Sequence, residues 1–245
     1  MLILSVGMPR AGSGWYYNLM HDLITASGGR DARQIRQQYH LQRILTEVNC
    51  NIGALTTPRL IAALIPALFG NTYVIKAHAG PRPLALWLIR RGSLRTAYIY
   101  RDPRDAMLSA WENGQRALQA NRANAFSHIT NFEQAVAFMQ PYLLIWQQWH
   151  NASPHVLNTR YEDLLTNYDT QAATLCQFLH LNPQTPAIAQ TIQRYRPKAA
   201  QTAEQRGLHF SQGKTGRFRS KLTPEQQQIC AQAFEPYLTR MGYEA

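Results

Sequence analysis

Acidic residues are scarce in this sequence: 14 Asp and Glu stand against 25 Lys and Arg, a formal charge of +11. Such a surface attracts polyanions, whether nucleic acid, an anionic membrane or a phosphate-rich small ligand. The basic residues are dispersed along the chain rather than clustered, which argues against nucleic acid. Cysteine is also rare. Cys50, Cys176 and Cys230 are odd in number and widely spaced, with no CxxC pair, so neither a disulfide framework nor a zinc ribbon is indicated. Long apolar runs are missing as well: the longest, residues 60–69, contains Pro66 and is too short to span a bilayer. The apolar opening reaches Pro9 and Arg10 too early for a signal-peptide core and has no basic segment before it. The expectation is a cytoplasmic protein without a membrane span.

What is present is 45% hydrophobic residues with only 16% charged, enough to bury a substantial core in one α/β domain over residues 1–245. Short apolar runs predict strands at residues 2–6, 72–76, 96–100 and 155–159. Helical spacing predicts helices at 14–26, 57–69, 82–91, 103–120, 131–150, 168–180 and 185–195. A further helix starts at Thr223-Pro224, with Thr223 as N-cap and Gln226 closing a capping box. Residues 30–50, polar and rich in Arg and Gln, predict a mobile helix or lid, and the Gly- and basic-rich residues 207–221 a functional loop. Strands alternating with helices predict a P-loop-like three-layer α/β/α domain around a central, mainly parallel sheet.

Three stretches carry chemistry. The first, Gly7-Met8-Pro9-Arg10-Ala11-Gly12-Ser13-Gly14, lies between the first strand and helix. Its glycines let backbone approach a ligand, and the following helix N-terminus points N–H groups at an anion. The spacing is close to a Walker A loop, but Ser13 stands where that loop has Lys. The second is Lys76-Ala77-His78 at the carboxyl end of the second strand, where open α/β sheets bind ligands. His78 is a candidate general base, and Lys76 a candidate to stabilise charge on transferring oxygens; a structural histidine is the alternative. The third is Tyr100-Arg101-Asp102-Pro103-Arg104-Asp105, followed by Ser109 two helical turns on. Arg101 suits phosphate through its planar fork. In the alternative, Asp102 merely caps the helix and Arg104-Asp105 are solvated.

These stretches, in this order, resemble the cytosolic and bacterial sulfotransferases that use 3′-phosphoadenosine 5′-phosphosulfate (PAPS). Pro9-Arg10-Ala11-Gly12-Ser13-Gly14-Trp15 resembles the family's phosphosulfate loop, Pro-Lys-Ser-Gly-Thr-Thr-Trp, with Arg10 for Lys and Gly14 for a Thr. Lys76-Ala77-His78 resembles Lys-Thr-His, whose His is the base. Tyr100 through Ser109 resembles the 3′-phosphate motif, and Arg160-Tyr161-Glu162-Asp163-Leu164 the segment whose Tyr lies near adenine. Gly213, Gly216, Phe218 and Thr223 fall where the family has its C-terminal Arg-Lys-Gly stretch, with Ser211-Gln212 at the Arg-Lys positions.

The resemblance implies transfer of a sulfuryl group from PAPS to a hydroxyl or amine of a small-molecule or glycan acceptor, leaving adenosine 3′,5′-bisphosphate. It implies catalytic roles for His78, Lys76 and Arg10. It implies nucleotide contacts by Arg10, Ala11, Gly12, Ser13, Gly14 and Trp15, by Arg101 and Ser109, and by Tyr161. Gly213, Lys214, Thr215, Gly216 and Arg217 complete the implied site, Lys214, Arg217 or Arg219 standing in for the basic pair. No metal is expected. Residues 30–70 and 112–150 are expected to shape the acceptor pocket, and Trp111, Phe126, Phe132, Phe138 and Trp146 either line it or belong to the core. The rival readings are a P-loop kinase, which needs a Lys at the loop end and a magnesium-binding carboxylate, and a basic nucleic-acid-binding protein.

Overall fold

Strand β1 (Leu2–Gly7) is buried along its whole length. Side chains of a strand alternate between its two faces, so complete burial requires a covered sheet on both sides. That is the architecture of the computed structural model, which describes residues 1–197 and 213–244. Along the chain, α1 (Ser13–Ala26) follows β1. Next, α2 (Ala32–Gln38) and α3 (Thr57–Leu68) precede β2 (Tyr73–Ala77), and α4 (Pro83–Arg90) leads to β3 (Leu94–Tyr100). Helices α5 (Pro103–Gln119) and α6 (Phe132–His150) lead to β4 (Val156–Arg160). Three more follow, α7 (Tyr161–Thr166), α8 (Tyr168–Leu179) and α9 (Pro186–Arg194), with a one-turn helix Phe218–Lys221 and a helix Pro224–Leu238 towards the C-terminus.

The four strands are parallel, in the order β2-β1-β3-β4. Leu2, Leu4 and Val6 of β1 join a core with α3 to α6 and the C-terminal helix, while Ile3 joins a second core with α1, α8 and α9. The result is the expected α/β/α sandwich. The capping box at Thr223 and Gln226 is present, with Pro224 opening the helix. Two differences bear on the site. Residues 30–50, predicted as a mobile helix or lid, include helix α2, whose Ala32 and Ile35 are buried in the core. Arg33 Nε and Arg36 Nε donate to the carbonyls of Val48 and Leu45 at 3.0 and 2.8 Å, joining the helix to the later part of the same segment. Within the predicted loop 207–221, residues 218–221 form a helix, and residues 207–212 lie outside the described residues.

Candidate active site

In the order β2-β1-β3-β4 the chain leaves β1 for one neighbour and later returns to the other, which opens a crevice beyond the carboxyl ends of the strands. A cavity of about 590 Å³ occupies this end of the sheet, lined among others by Arg10, Lys76, His78, Arg101, Ser109 and Tyr161. Among the described residues, no Asp or Glu lines it.

The loop after β1 takes its shape from two left-handed residues, Arg10 at φ 64° and Gly12 at φ 75°. Only glycine fits at the second. A Cβ on Gly12 would lie 2.7 Å from the Tyr161 ring. Gly12 is also the N-cap of α1, and no side chain caps the helix. A helix N-terminus presents N–H groups beyond reach of its own carbonyls, at the positive end of its dipole. Here that end, with Ser13 and Gly14, opens into the cavity.

Three cationic or potentially cationic groups converge on it. Lys76 is buried with no carboxylate partner among the described residues. Burial, and then the charge of Arg10, pull its pKa down to about 8. Arg10 itself is lowered to about 10, by burial first and then by Arg116 and Arg101. Its Nε donates to Ser109 Oγ at 3.2 Å, and its guanidinium lies 5.6 Å from the centre of the Phe126 ring. His78 Nδ1 is 2.6 Å from Gly7 O. A carbonyl only accepts, so Nδ1 carries the hydrogen and Nε2 the lone pair. Burial and then Lys76 pull His78 down to about 3, against the opposing hydrogen bond to Gly7. The imidazole is therefore neutral at physiological pH.

Arg101, just past β3, is held from several sides. Its Nη2 donates to Asp105 Oδ2 at 3.0 Å and to Lys214 O at 2.7 Å, and its guanidinium sits 4.7 Å from the Tyr161 ring centre. Its Nε is buried with no hydrogen-bond partner. Asp105 also accepts from the N–H groups of Gly216 and Phe218, at 2.7 and 3.0 Å. Asp102 does cap α5, through Arg104 N at 2.9 Å. Arg104 and Asp105, however, are buried rather than solvated. Arg104 pairs with Asp102 at 2.9 Å and lies over Phe218, while Asp105 clasps the C-terminal stretch.

A family model described as "Sulfotransferase domain" matches residues 2–242. The chain belongs to the sulfotransferase domain family. No curated relative matches it by sequence. Among solved structures, retinol dehydratase in complex with androsterone and the inactive cofactor PAP superposes at a TM-score of 0.61. That match has 16% identity over 97% of this chain and 80% of the other. A mouse sulfotransferase complexed with PAP gives 0.64 and 14%, over 97% and 84% of the two chains. These likenesses establish a shared fold.

In this sulfotransferase, Arg10, Gly12, Ser13, Gly14, Trp15, Lys76, His78, Arg101, Ser109 and Tyr161 all line the one cavity, joined by Gly213, Lys214 and Arg217. Three predicted contacts are not in its lining. Ala11 is buried in the core, with its N–H on Met8 O at 3.2 Å. Thr215 is exposed, and Gly216 gives its N–H to Asp105. Arg217 reaches the cavity while paired with Glu112 at 2.6 Å; Arg219 turns away to Glu244 and Phe218. Ser211 and Gln212 lie outside the described residues. The aromatic candidates divide: Phe126 and Phe138 line the cavity, Phe132 and Trp146 are core, and Trp111 packs against the core.

Asn49, Asn51, Asn113, Asn124 and Tyr142 also line the cavity; they fall within residues 30–70 and 112–150, where the acceptor pocket is expected, but were not singled out by sequence. Asn113 carried a usable signal, being one helical turn beyond Ser109 on α5 and hence on the same face. Asn51 carried none, because it reaches the site through an isolated parallel bridge to Lys76 at the edge of β2.

Proposed function

We propose that this sulfotransferase takes PAPS as donor and transfers its sulfuryl group to an acceptor hydroxyl, with His78 as general base. The carrying observation is the convergence of Arg10, Lys76, Arg101 and a helix N-terminus on a cavity lined by no carboxylate among the described residues. PAP in the mouse sulfotransferase and retinol dehydratase structures supports the donor by analogy. The residues also fit such a group. The buried Arg101 Nε has no protein acceptor, and Gly12 leaves the N-terminus of α1 without a side-chain cap where it opens into the cavity.

In this reading Arg10 and the N–H groups of residues 12–15 hold the phosphosulfate, Arg101 and Ser109 the 3′-phosphate, and Tyr161 the adenine. Lys214 and Arg217 serve the outer side of the nucleotide. PAPS supplies the activated sulfuryl group and departs as adenosine 3′,5′-bisphosphate. His78 Nε2 takes the acceptor proton, while Nδ1 stays fixed on Gly7 O and keeps the ring in one tautomer. Lys76 and Arg10 stabilise negative charge as it shifts between oxygens, which is worth most in a water-poor site. An anion beside Lys76 offsets the smaller of the two causes that depress His78, burial being the larger.

The deciding experiment is a thermal-shift comparison of adenosine 3′,5′-bisphosphate with ATP plus magnesium, followed by transfer from labelled PAPS. Stabilisation by the bisphosphate and label in an acceptor are expected. Stabilisation by ATP alone would point to a kinase instead. Arg101→Ala is expected to weaken the bisphosphate far more than adenosine 5′-phosphate in calorimetry; equal weakening removes Arg101 from the 3′-phosphate.

A further inference from the structure

The sheet order separates two flanks of the cavity. His78 follows β2 and Arg101 follows β3, on opposite sides of β1 and its loop. Residues 49–52 run alongside the end of β2, still farther out. Asn51 is bridged to Lys76, Lys76 N–H binds Cys50 O at 3.2 Å, and Ile52 N–H binds Lys76 O at 2.9 Å. Asn49 and Asn51 therefore line the cavity on the His78 flank, away from Arg101 and Tyr161.

Their hydrogen bonding is incomplete. Asn49 Oδ1 is buried and has no partner. Asn51 Oδ1 accepts from Gly53 N–H at 2.9 Å, and Asn113 Oδ1 accepts from Asn124 Nδ2 at 2.9 Å. In both, the amide oxygen is occupied by the protein and the NH₂ group is bound to none of it among the described residues. Rings complete the lining: Phe126 stands edge-on to Phe138 at 5.7 Å, and Phe138 meets Tyr142 at 5.2 Å.

From this we infer that the acceptor is a neutral, hydroxyl-rich small molecule, a sugar or glycoside, whose hydroxyls meet Asn49, Asn51 and Asn113 while its C–H face rests on the aromatic wall. The inference rests on the proposed donor reading, in which the acceptor approaches His78. A hydroxyl both donates and accepts, so neighbouring hydroxyls satisfy Asn49 Oδ1 and the amide donors together. An apolar alcohol or a steroid-like body would leave Asn49 Oδ1 buried and unpaired, which disfavours it. A cationic amine would find no carboxylate in the lining among the described residues. In the step itself, the acceptor oxygen forms the new O–S bond as the phosphosulfate S–O bond breaks. The hydroxyl proton goes to His78 Nε2, and the electron pair leaves on the bisphosphate.

The test uses the full chain with labelled PAPS and acceptors sharing one tail: octyl glucoside, octyl galactoside and octyl mannoside against 1-octanol, with 4-nitrophenol as a phenol. At least one glycoside is expected to exceed octanol and nitrophenol in kcat/KM by about tenfold or more. In Asn49→Leu, and separately in Asn113→Ala on another element, the glycoside-to-octanol ratio is expected to collapse by about tenfold. Affinity for adenosine 3′,5′-bisphosphate should stay within about twofold in both. A wild-type enzyme that binds the bisphosphate but prefers octanol or nitrophenol overturns this inference alone, as does an equal loss on all acceptors in both variants. Failure to bind the bisphosphate at all overturns the donor reading and this inference with it.

Discussion

The Arg101 guanidinium and the Asp105 carboxylate meet at 3.0 Å, four residues apart across the start of α5 and both buried. The same carboxylate takes the backbone N–H groups of Gly216 and Phe218, so a single side chain joins the β3–α5 turn to the C-terminal stretch. Asp105→Asn leaves Arg101 without its counter-charge and turns an amide donor towards other donors. The expected loss is about 3–5 kcal/mol of stability, typical of a broken buried pair, read from urea unfolding. Because Arg101 and the stretch from Gly216 to Phe218 lose their shared anchor, the bisphosphate should bind at least about tenfold more weakly, read by calorimetry. Unaltered affinity would detach the clasp from the nucleotide.

His78→Gln is expected to remove transfer while keeping the bisphosphate within about twofold of the wild-type affinity. Glutamine can still donate to Gly7 O, so the loop keeps its tether and only the proton acceptor is lost. Single-turnover measurements with labelled PAPS separate these effects. Near-normal turnover in the variant would end the base assignment.

Gly12→Ala puts a methyl group 2.7 Å from the Tyr161 ring at a backbone angle that favours glycine. A loss of about 1–3 kcal/mol is expected in thermal unfolding, together with weakened nucleotide binding. Tyr161→Ala in the same chain should recover part of the stability, by removing the clash, but not the binding. Full recovery of both would show that Tyr161 contributes nothing to the nucleotide.

The alkaline limb of the pH profile should belong to Lys76. Its pKa of about 8 means the charge is present below that pH and is lost as pH rises through it. Accordingly, kcat/KM should fall above about pH 8 rather than above pH 10. Lys76→Arg keeps its charge throughout, so it should lack that limb whatever its absolute rate. A wild-type profile flat to pH 10 would show that the charge of Lys76 is not needed.

Stability should also respond to acid through His78. The folded group has a pKa of about 3 against an ordinary 6.5, so in that window the unfolded chain binds the proton that the folded chain refuses. Stability from this group is complete above about pH 6.5 and is lost as pH falls towards 3. Urea midpoints at pH 7 and pH 4 should therefore differ more in wild type than in His78→Gln.

Strands β1 to β3 were legible because each centres on a short apolar run, and the Thr223 helix because its cap chemistry is local. Arg10, Lys76, His78 and Arg101 were legible for a related reason: each sits at the end of such a run, where a parallel sheet collects its loops. Arg104 and Asp105 were not. Adjacent opposite charges read as solvated, and their burial comes from Gly216 and Phe218, more than a hundred positions away. Asn49 and Asn51 were legible only as part of a pocket-forming segment, since pairing of residues 50–52 with Lys76 is what brings these two in.

One consequence follows from β1 standing between β2 and β3. The segment carrying Asn49 and Asn51 and the turn carrying Arg101 and Asp105 are separate stretches of chain, attached to different strands. Substitutions can accumulate in the first without disturbing the second. A lineage can thus alter the acceptor contacts at the outer margin of the sheet, though not Asn113 on α5, while inheriting the proposed donor grip unchanged.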